Sequence, residues 1–332
     1  MDYTDKETDL QKSIKIYNHL PQIGIESARQ EILEGLHSEP KYISPKYFYN
    51  KEGGALFEKI TTLEEYYPTR CEKEILSGLV NHLDVNFDNL DIIELGSGDA
   101  SKISLILQQL STVTLETINY FAIDIDQAAI KRSIEQITEA YHVNCTGIIT
   151  DFYQHLEIAP SNRKRLFCFF GSTIGNFSPI EAKTFIKQLG AIMRKGDALL
   201  LGADMIKDIT VLEKAYNDKQ MITAAFNRNI LNTVNTMLES DLETSDFKHI
   251  AFYNSDESRI EMYLKSLKDI EIRSKYASKC IKIKKGETIH TENSHKFNKI
   301  QLKQFAEIAE LTLENIFFDS LEYFSLSYYI KN

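Results

Sequence analysis

Asp91-Ile92-Ile93-Glu94-Leu95-Gly96-Ser97-Gly98-Asp99-Ala100-Ser101-Lys102, DIIELGSGDASK, passes from an apolar strand through a glycine turn into the start of a helix. DIIEL is short and apolar, as a strand buried on both faces must be. Gly96 and Gly98 allow the tight turn and the close approach of backbone to a ligand. Beyond them Ile103, Leu105, Ile106, Leu107 and Leu110 make Ser101–Leu110 read as a helix. The alternation then repeats, with strands at Tyr120–Ile123, Thr146–Thr150, Leu166–Phe170 and Ala198–Leu201. Helices fall between them at Gln127–Tyr141 and Pro179–Arg194, the second opening with proline, where a missing N–H costs nothing. Strands and helices in alternation predict an α/β chain with a parallel sheet covered on both faces.

In such sheets ligands sit at the carboxyl ends of the strands. Four of those ends carry chemistry. The first is the Gly96–Gly98 turn, which has Ser101 where a dinucleotide fingerprint has its third glycine. Asp124 closes the second strand, where a carboxylate can accept hydrogen bonds from ribose hydroxyls. Asp151 closes the third and is followed by Phe152, a pair suited to an adenine amine and the face of its ring. Together they describe a nucleoside pocket without a pyrophosphate clamp, which suits S-adenosylmethionine better than NAD. After the fourth strand comes Gly171–Phe177, GSTIGNF, with glycines, hydroxyls and a carboxamide suited to a small polar molecule such as an amino acid. The same residue types also make ordinary strand-to-helix turns.

Composition narrows the class. A chain of 332 residues is long for one core, and a hydrophobic content of 43% is ample for packing, so two ordered domains are expected. A net charge of −10 opposes binding to a nucleic-acid backbone, and the basic run Lys282–Lys285 is too short to reverse it. No apolar stretch approaches the ~20 residues that span a bilayer, and the opening MDYTDKETDLQKS is acidic and polar, unlike a secretory signal. Cys71, Cys145, Cys168 and Cys280 are scattered, without the spacing of a metal site or a disulfide framework. The expectation is a cytoplasmic, metal-free monomer that handles a small molecule.

The rest of the chain changes character. Ile209–Leu238 reads as one long helix. From Phe247 to Phe297 come short alternating segments (HIAFYN, RIEMYLKSL, IEIRS, KCIKIKK, ETIHTENSHKF) that look antiparallel. A helix over Leu302–Ala309 and two aromatic strands, NIFFD and EYFSLSYYI, end the sequence and are expected to complete the first sheet. This predicts one domain from 71–204 with 297–332, and a second from 1–70 with 205–296.

KYFYNKEGGALFEKIT, YYPTR, ELGSGDASK, GSTIGNF, TAAFNRNIL, RIEMYL and IHTENSHKF occur in that order over nearly the whole chain, from about residue 20 onward. In these landmarks the chain resembles the S-adenosylmethionine-dependent histidine Nα-methyltransferases of ergothioneine biosynthesis. The resemblance implies a class I methyltransferase (Rossmann-like) sheet with a second, α+β substrate-binding domain. It implies that Gly96, Lys102, Asp124, Asp151 and Phe152 line the cofactor site, beside Gly98 of the same turn. Asn176 and Tyr216, with Gly171 and Thr173 nearby, should hold a carboxylate, and Tyr49 and Tyr66 should flank the reacting amine. Glu292 and Ser294 should face an imidazole, with Met262 beside it. There Glu292 can accept from the ring N–H while Ser294 donates to the bare nitrogen, or a protonated ring can sit against Glu292.

The reaction implied is in-line transfer of a sulfonium methyl to a neutral α-amine, three times over to a betaine. Positioning alone can supply up to about 7–11 kcal/mol of such a barrier. The alternatives are the same chemistry on tryptophan or tyrosine, a non-catalytic module that senses S-adenosylmethionine, and an NAD-dependent oxidoreductase. Ser101 and the lack of a catalytic His or Lys motif oppose the last of these.

Overall fold

The structure, a computed structural model, describes residues 14–19, 25–153 and 161–332; the polar opening MDYTDKETDLQKS lies outside the described residues. In chain order the strands are β1 (Lys15–Asn18), β2 (Lys41–Tyr42), β3 (Asp91–Leu95), β4 (Asn119–Asp124), β5 (Asn144–Ile149), β6 (Arg165–Phe169) and β7 (Ala198–Asp204). They continue with β8 (Phe247–Asn254), β9 (Arg259–Ser266), β10 (Ile270–Ile272), β11 (Ile281–Ile283), β12 (Thr288–His295), β13 (Thr312–Phe318) and β14 (Phe324–Ile330). The helices are α1 (Ile25–His37), α2 (Lys51–Ile60), α3 (Tyr67–Leu76), α4 (Ser101–Leu107), α5 (Thr112–Thr117) and α6 (Gln127–Tyr141). After them come α7 (Pro179–Ile192), α8 (Ile209–Tyr216), α9 (Ile222–Leu238) and α10 (Lys299–Ala309). The fold is mixed α/β around a central, mostly parallel sheet, as the sequence predicts.

The chain divides into two compact units. Among the described residues, the first comprises those within 1–20, 76–168 and 196–198. Its strands run β1-β5-β4-β3-β6, and β1, β5, β4 and β3 pair in parallel, with Ile92 opposite Tyr120 and Phe121 opposite Thr146. β3 is buried along its whole length, which is why it reads as an unbroken apolar run. Gly147 lets α6 lie close on the sheet: a Cβ there would fall 2.5 Å from both Ile130 and Ile134. The helix expected over Ser101–Leu110 stops at Leu107, and Ser111 caps a separate α5 by accepting from the Thr114 amide. Strand β1 has no counterpart in the sequence reading, because KIYN is exposed throughout and shows no alternation.

Among the described residues, the second unit comprises those within 21–75, 169–195 and 199–332. Here β14 lies beside β7 and pairs antiparallel with β13. A second sheet runs β2-β12-β9-β8, antiparallel as expected in β8/β9 and β9/β12, with β2 added in parallel. The long helix expected over Ile209–Leu238 is two helices. Met221 adopts φ 59°, and the Asp218 carboxylate accepts from the amides of Ile222 at 2.9 Å and Thr223 at 2.8 Å. A side chain that satisfies free amides at a helix start makes a break cheap, and apolar periodicity does not register it.

α7 and α10 pack in contact at Gly190, where a Cβ would meet the Ala309 carbonyl oxygen at 2.3 Å. Helix propensity alone would make Gly190→Ala stabilising by up to about 1 kcal/mol. Overpacking against a backbone carbonyl should reverse the sign and cost about 1–3 kcal/mol. The midpoint of urea unfolding should fall with an unchanged m-value; a raised midpoint would show that the two helices separate freely.

Candidate active site

In the first unit the turn after β3 is held by its neighbour strand. The amides of Gly96 and Ser97 donate to the Ile123 carbonyl at 2.8 and 3.2 Å. Gly96, Gly98 and Ala100 all have positive φ, which the two glycines adopt without strain. Asp124 accepts from the Gly98 amide at 3.2 Å and from the Asp126 amide at 3.0 Å, so it ties the glycine turn to the end of β4. Burial raises its pKa, and those amides partly offset the rise. The helix cap at this strand end is Asp126, which accepts from Ala128, and Asp124 keeps acceptor capacity for a ligand. Phe152 is buried with its ring edge 3.9 Å from where a Gly96 Cβ would stand. Asp151, just before it, accepts from the Tyr153 amide at 3.2 Å. Ser97 contributes a buried hydroxyl oxygen with no hydrogen-bond partner among the described residues. A glycine floor, a buried ring and unspent polar capacity suit an adenosyl group. Lys102 is half-buried in the first turn of α4.

In the second unit GSTIGNF forms a left-handed turn and one 3₁₀ turn, Thr173–Asn176. The Gly171 amide is held by the fully buried Glu72, at 2.8 and 3.0 Å from its two carboxylate oxygens. Gly202 makes room for Glu72, since a Cβ there would fall 2.2 Å from Oε1. Ser172 accepts from the Asp204 amide at 2.9 Å, and Thr173 donates to the Phe170 carbonyl at 3.0 Å. A Cβ on Gly175 would lie 2.8 Å from the His295 carbonyl, so this turn packs directly on β12. The Asn176 carboxamide, half-buried, makes no hydrogen bond among the described residues.

Asp204 ends β7 at the centre of a buried charge cluster. It accepts from Tyr67 at 2.8 Å, from Lys207, and from Lys296 at 2.8 Å. Burial pushes its carboxyl up, but the two lysines more than offset this and hold it below the usual carboxylate range. Lys296 is fully buried and also donates to Ser294 at 2.8 Å and to Tyr216 at 3.2 Å, while Tyr216 donates to Ser294 at 2.8 Å.

Strand β12 carries Glu292 and Ser294, and a bulge decides where they face. His290 pairs with Tyr263, and Glu292 pairs with Met262, so Thr291 is the extra residue. In unbroken register Glu292 would oppose Glu261 on the His290 side; with the bulge it joins Met262, Ile260 and Ser294 on the other face. Thr291 holds the bulge by donating to Asn227 at 2.7 Å. Asn227 meets His249 Nδ1 at 2.8 Å, and His249 Nε2 donates to the Tyr216 carbonyl at 2.9 Å. Glu292 is half-buried with no hydrogen-bond partner among the described residues, and burial, eased by Lys296, pushes it up to about 7.

Tyr66 stands edge-on to Tyr216, with ring centroids 6.3 Å apart. Burial drives its phenol well above the ordinary tyrosine value, and Tyr216 and Glu292 add to the rise. Tyr49, 40% exposed, joins the same aromatic group through Phe57 and Phe226, each at 6.0 Å. Tyr66, Tyr216, Met262, Glu292 and Ser294 are thus gathered within the second unit, and Gly96, Gly98, Asp124, Asp151 and Phe152 within the first. Sequence reasoning missed Glu72, Asp204, Lys207, Lys296, Asn227, His249, Phe57 and Phe226. One signal was available: Lys296 is a lysine directly between the inward-facing end of β12 and the buried Phe297, where a charge needs a partner.

The Glu292 carboxylate costs stability. Its folded pKa, about 7, lies above the unfolded value of 4.5, so the folded chain binds more protons between them and stability falls as pH rises through that window. Glu292→Gln should therefore stabilise the fold at pH 8, by up to about 3 kcal/mol, and have little effect at pH 4. Thermal melts at the two pH values check this; equal shifts at both would refute it.

Residues 28–331 match the family described as "Histidine-specific methyltransferase, SAM-dependent". The chain is 37% identical over 286 residues to a histidine N-alpha-methyltransferase of Mycobacterium tuberculosis, covering 86% of this chain and 89% of that one. A protein of the same description from Mycolicibacterium smegmatis is 36% identical over 87% of this chain and 89% of its own. Ergothioneine biosynthesis protein 1 of Neurospora crassa is 31% identical over 82% of this chain, which spans 31% of that longer protein. With the match running through both units and every landmark, the chain belongs to the family of histidine-specific, S-adenosylmethionine-dependent methyltransferases.

Proposed function

We propose that this chain methylates the α-amino group of L-histidine, in successive transfers to the trimethylated betaine. The observation that carries the reading is Glu292, a half-buried carboxylate without a partner among the described residues, turned by a bulge onto the face that holds Met262 and Ser294. A carboxylate and a hydroxyl side by side match the N–H and the bare nitrogen of an imidazole, and match an indole poorly. The relatives described as histidine N-alpha-methyltransferases support the same substrate.

S-adenosylmethionine, when bound, supplies an electrophilic methyl on a sulfonium. The protein's part is to hold a neutral amine in line with it. Gly96, Gly98, Lys102, Asp124, Asp151 and Phe152 are assigned to the cofactor. Asn176 and Tyr216, with Gly171 and Thr173 shaping the turn, are assigned to the substrate carboxylate. Tyr66 and Tyr49 are assigned to the amine. The raised pKa of Tyr66 makes it a holder of the amine and leaves its proton to water. As methyl groups replace N–H donors, the faces of these tyrosines and of Phe57 and Phe226 can stabilise the growing cation by about 0.5–2 kcal/mol. The same reading makes the protein a cytoplasmic monomer that acts on a free amino acid rather than on nucleic acid or at a membrane. The helices give no contrary sign: among the described residues none is long and apolar enough to cross a bilayer.

Competitive turnover of histidine, tryptophan and tyrosine, followed by mass spectrometry of the products, tests the substrate. Histidine should dominate; preference for an aromatic amino acid would replace the reading with its nearest rival. Glu292→Ala should raise the histidine KM by about 100-fold or more, with cofactor binding intact. Asn176→Ala should weaken all amino-acid substrates alike, and a loss confined to histidine would contradict its carboxylate role.

A further inference from the structure

We propose that Lys296, buried beneath the substrate residues, is a positioning residue that holds Ser294 as a hydrogen-bond donor, so that the site takes histidine with a neutral imidazole, its bare nitrogen toward Ser294 and its N–H toward Glu292. This rests on the substrate assignment above and adds to it the protonation state and orientation of the ring.

The argument is a count of protons and lone pairs. An ammonium has three N–H groups, and those of Lys296 are taken by Asp204 at 2.8 Å, Ser294 at 2.8 Å and Tyr216 at 3.2 Å. Ser294 Oγ has two lone pairs, and it accepts from Lys296 and, at 2.8 Å, from Tyr216. Both lone pairs are then in use, and what remains to Ser294 is its own proton. A phenol is the stronger donor of the two hydroxyls and an aliphatic oxygen the better acceptor, so Tyr216 donates to Ser294 rather than the reverse. The longer bond from Lys296 to Tyr216 agrees with that order. When Tyr216 turns its proton to a substrate carboxylate, Ser294 keeps the Lys296 N–H and still points its own proton outward.

Lys296 cannot swing away. It is fully buried, its ion pair with Asp204 is itself buried, and Lys207 and Tyr67 occupy the rest of that carboxylate. A fixed cation below Ser294 also makes a protonated ring costly there. Glu292, on the same face, supplies the acceptor for the ring N–H. A ring with two N–H groups would set one of them against the Ser294 proton, and a ring with no bare nitrogen would leave that proton unpaired.

The direct test uses the wild-type chain with ring-¹⁵N-labelled L-histidine and S-adenosylhomocysteine, which forms a complex without turnover. The bound ring should show one protonated and one bare nitrogen, with widely separated shifts. Two protonated nitrogens of similar shift would overturn the proposal. Binding of no histidine at all would instead count against the substrate assignment. The role of Lys296 is read from discrimination against 3-(pyrrol-2-yl)alanine and 3-(pyrrol-3-yl)alanine, which keep an N–H at the Nδ1 and Nε2 positions of histidine respectively and have carbon in place of the other nitrogen. Wild type should favour histidine over the better of the two by on the order of 10- to 100-fold in kcat/KM. In Lys296→Met, Ser294 can turn its proton to Tyr216, and the preference should shrink to within about 3-fold. A purely structural lysine would lower all three substrates together and leave the ratio unchanged, which would refute the positioning role. Should that variant not fold, Ser294→Ala in an otherwise native chain must erase the same preference; an undiminished ratio there would refute the donor assignment.

Discussion

A fully buried charged carboxylate is strongly destabilising without partners, and much of the second unit is organised to satisfy one. Asp204, 1% exposed at the end of β7, collects Tyr67, Lys207 and Lys296 from three separate parts of the chain. Once these groups converge, Lys296 stands under Ser294 and Tyr216, and Tyr67 sets the start of α3, whose preceding residue is Tyr66. Glu72, a turn and a half along the same helix, meets the Gly171 amide through the space left by Gly202. Removing one member of such a buried set leaves a charge uncompensated, at a cost of about 3–5 kcal/mol. Ser294 and Tyr216 are therefore held from behind by buried ionic contacts.

The second constraint is one extra residue. Strand period means that a single-residue slip sends every following side chain to the opposite face. The Thr291 bulge uses this to bring Glu292 beside Met262 and away from Glu261, where two carboxylates would have faced each other. The bulge is pinned through Asn227 to His249 and onward to the backbone of Tyr216, so one polar chain ties the placement of Glu292 to that of Tyr216. Burial lowers the pKa of His249, which keeps Nδ1 bare to receive the Asn227 amide.

Several residues of the family landmarks serve the architecture. In KYFYNKEGGALF, Asn50 caps α2 by accepting from Gly53, and Gly53 allows contact with Phe48, since a Cβ there would fall 1.8 Å from the Phe48 carbonyl. Asn229 of AAFNRNIL donates to that same Asn50. The glycine turn after β3 was legible because strand, glycine and helix are neighbours in sequence. The break at Asn217–Met221 was not, because an Asp that caps a helix and an Asp exposed on one look alike in a periodic pattern.

By itself the sequence determined the α/β alternation, the glycine turn, the strand-end acids and, through its ordered landmarks, the family. Those features are local: each depends on residue type and on spacing within one or two elements. Only the tertiary structure decided which face Glu292 occupies, which groups satisfy Asp204, and that Lys296 stands beneath Ser294. Strand register and the pairing of buried charges are settled between segments far apart in the chain, where the penalties for a misplaced face or an unpaired ion are felt.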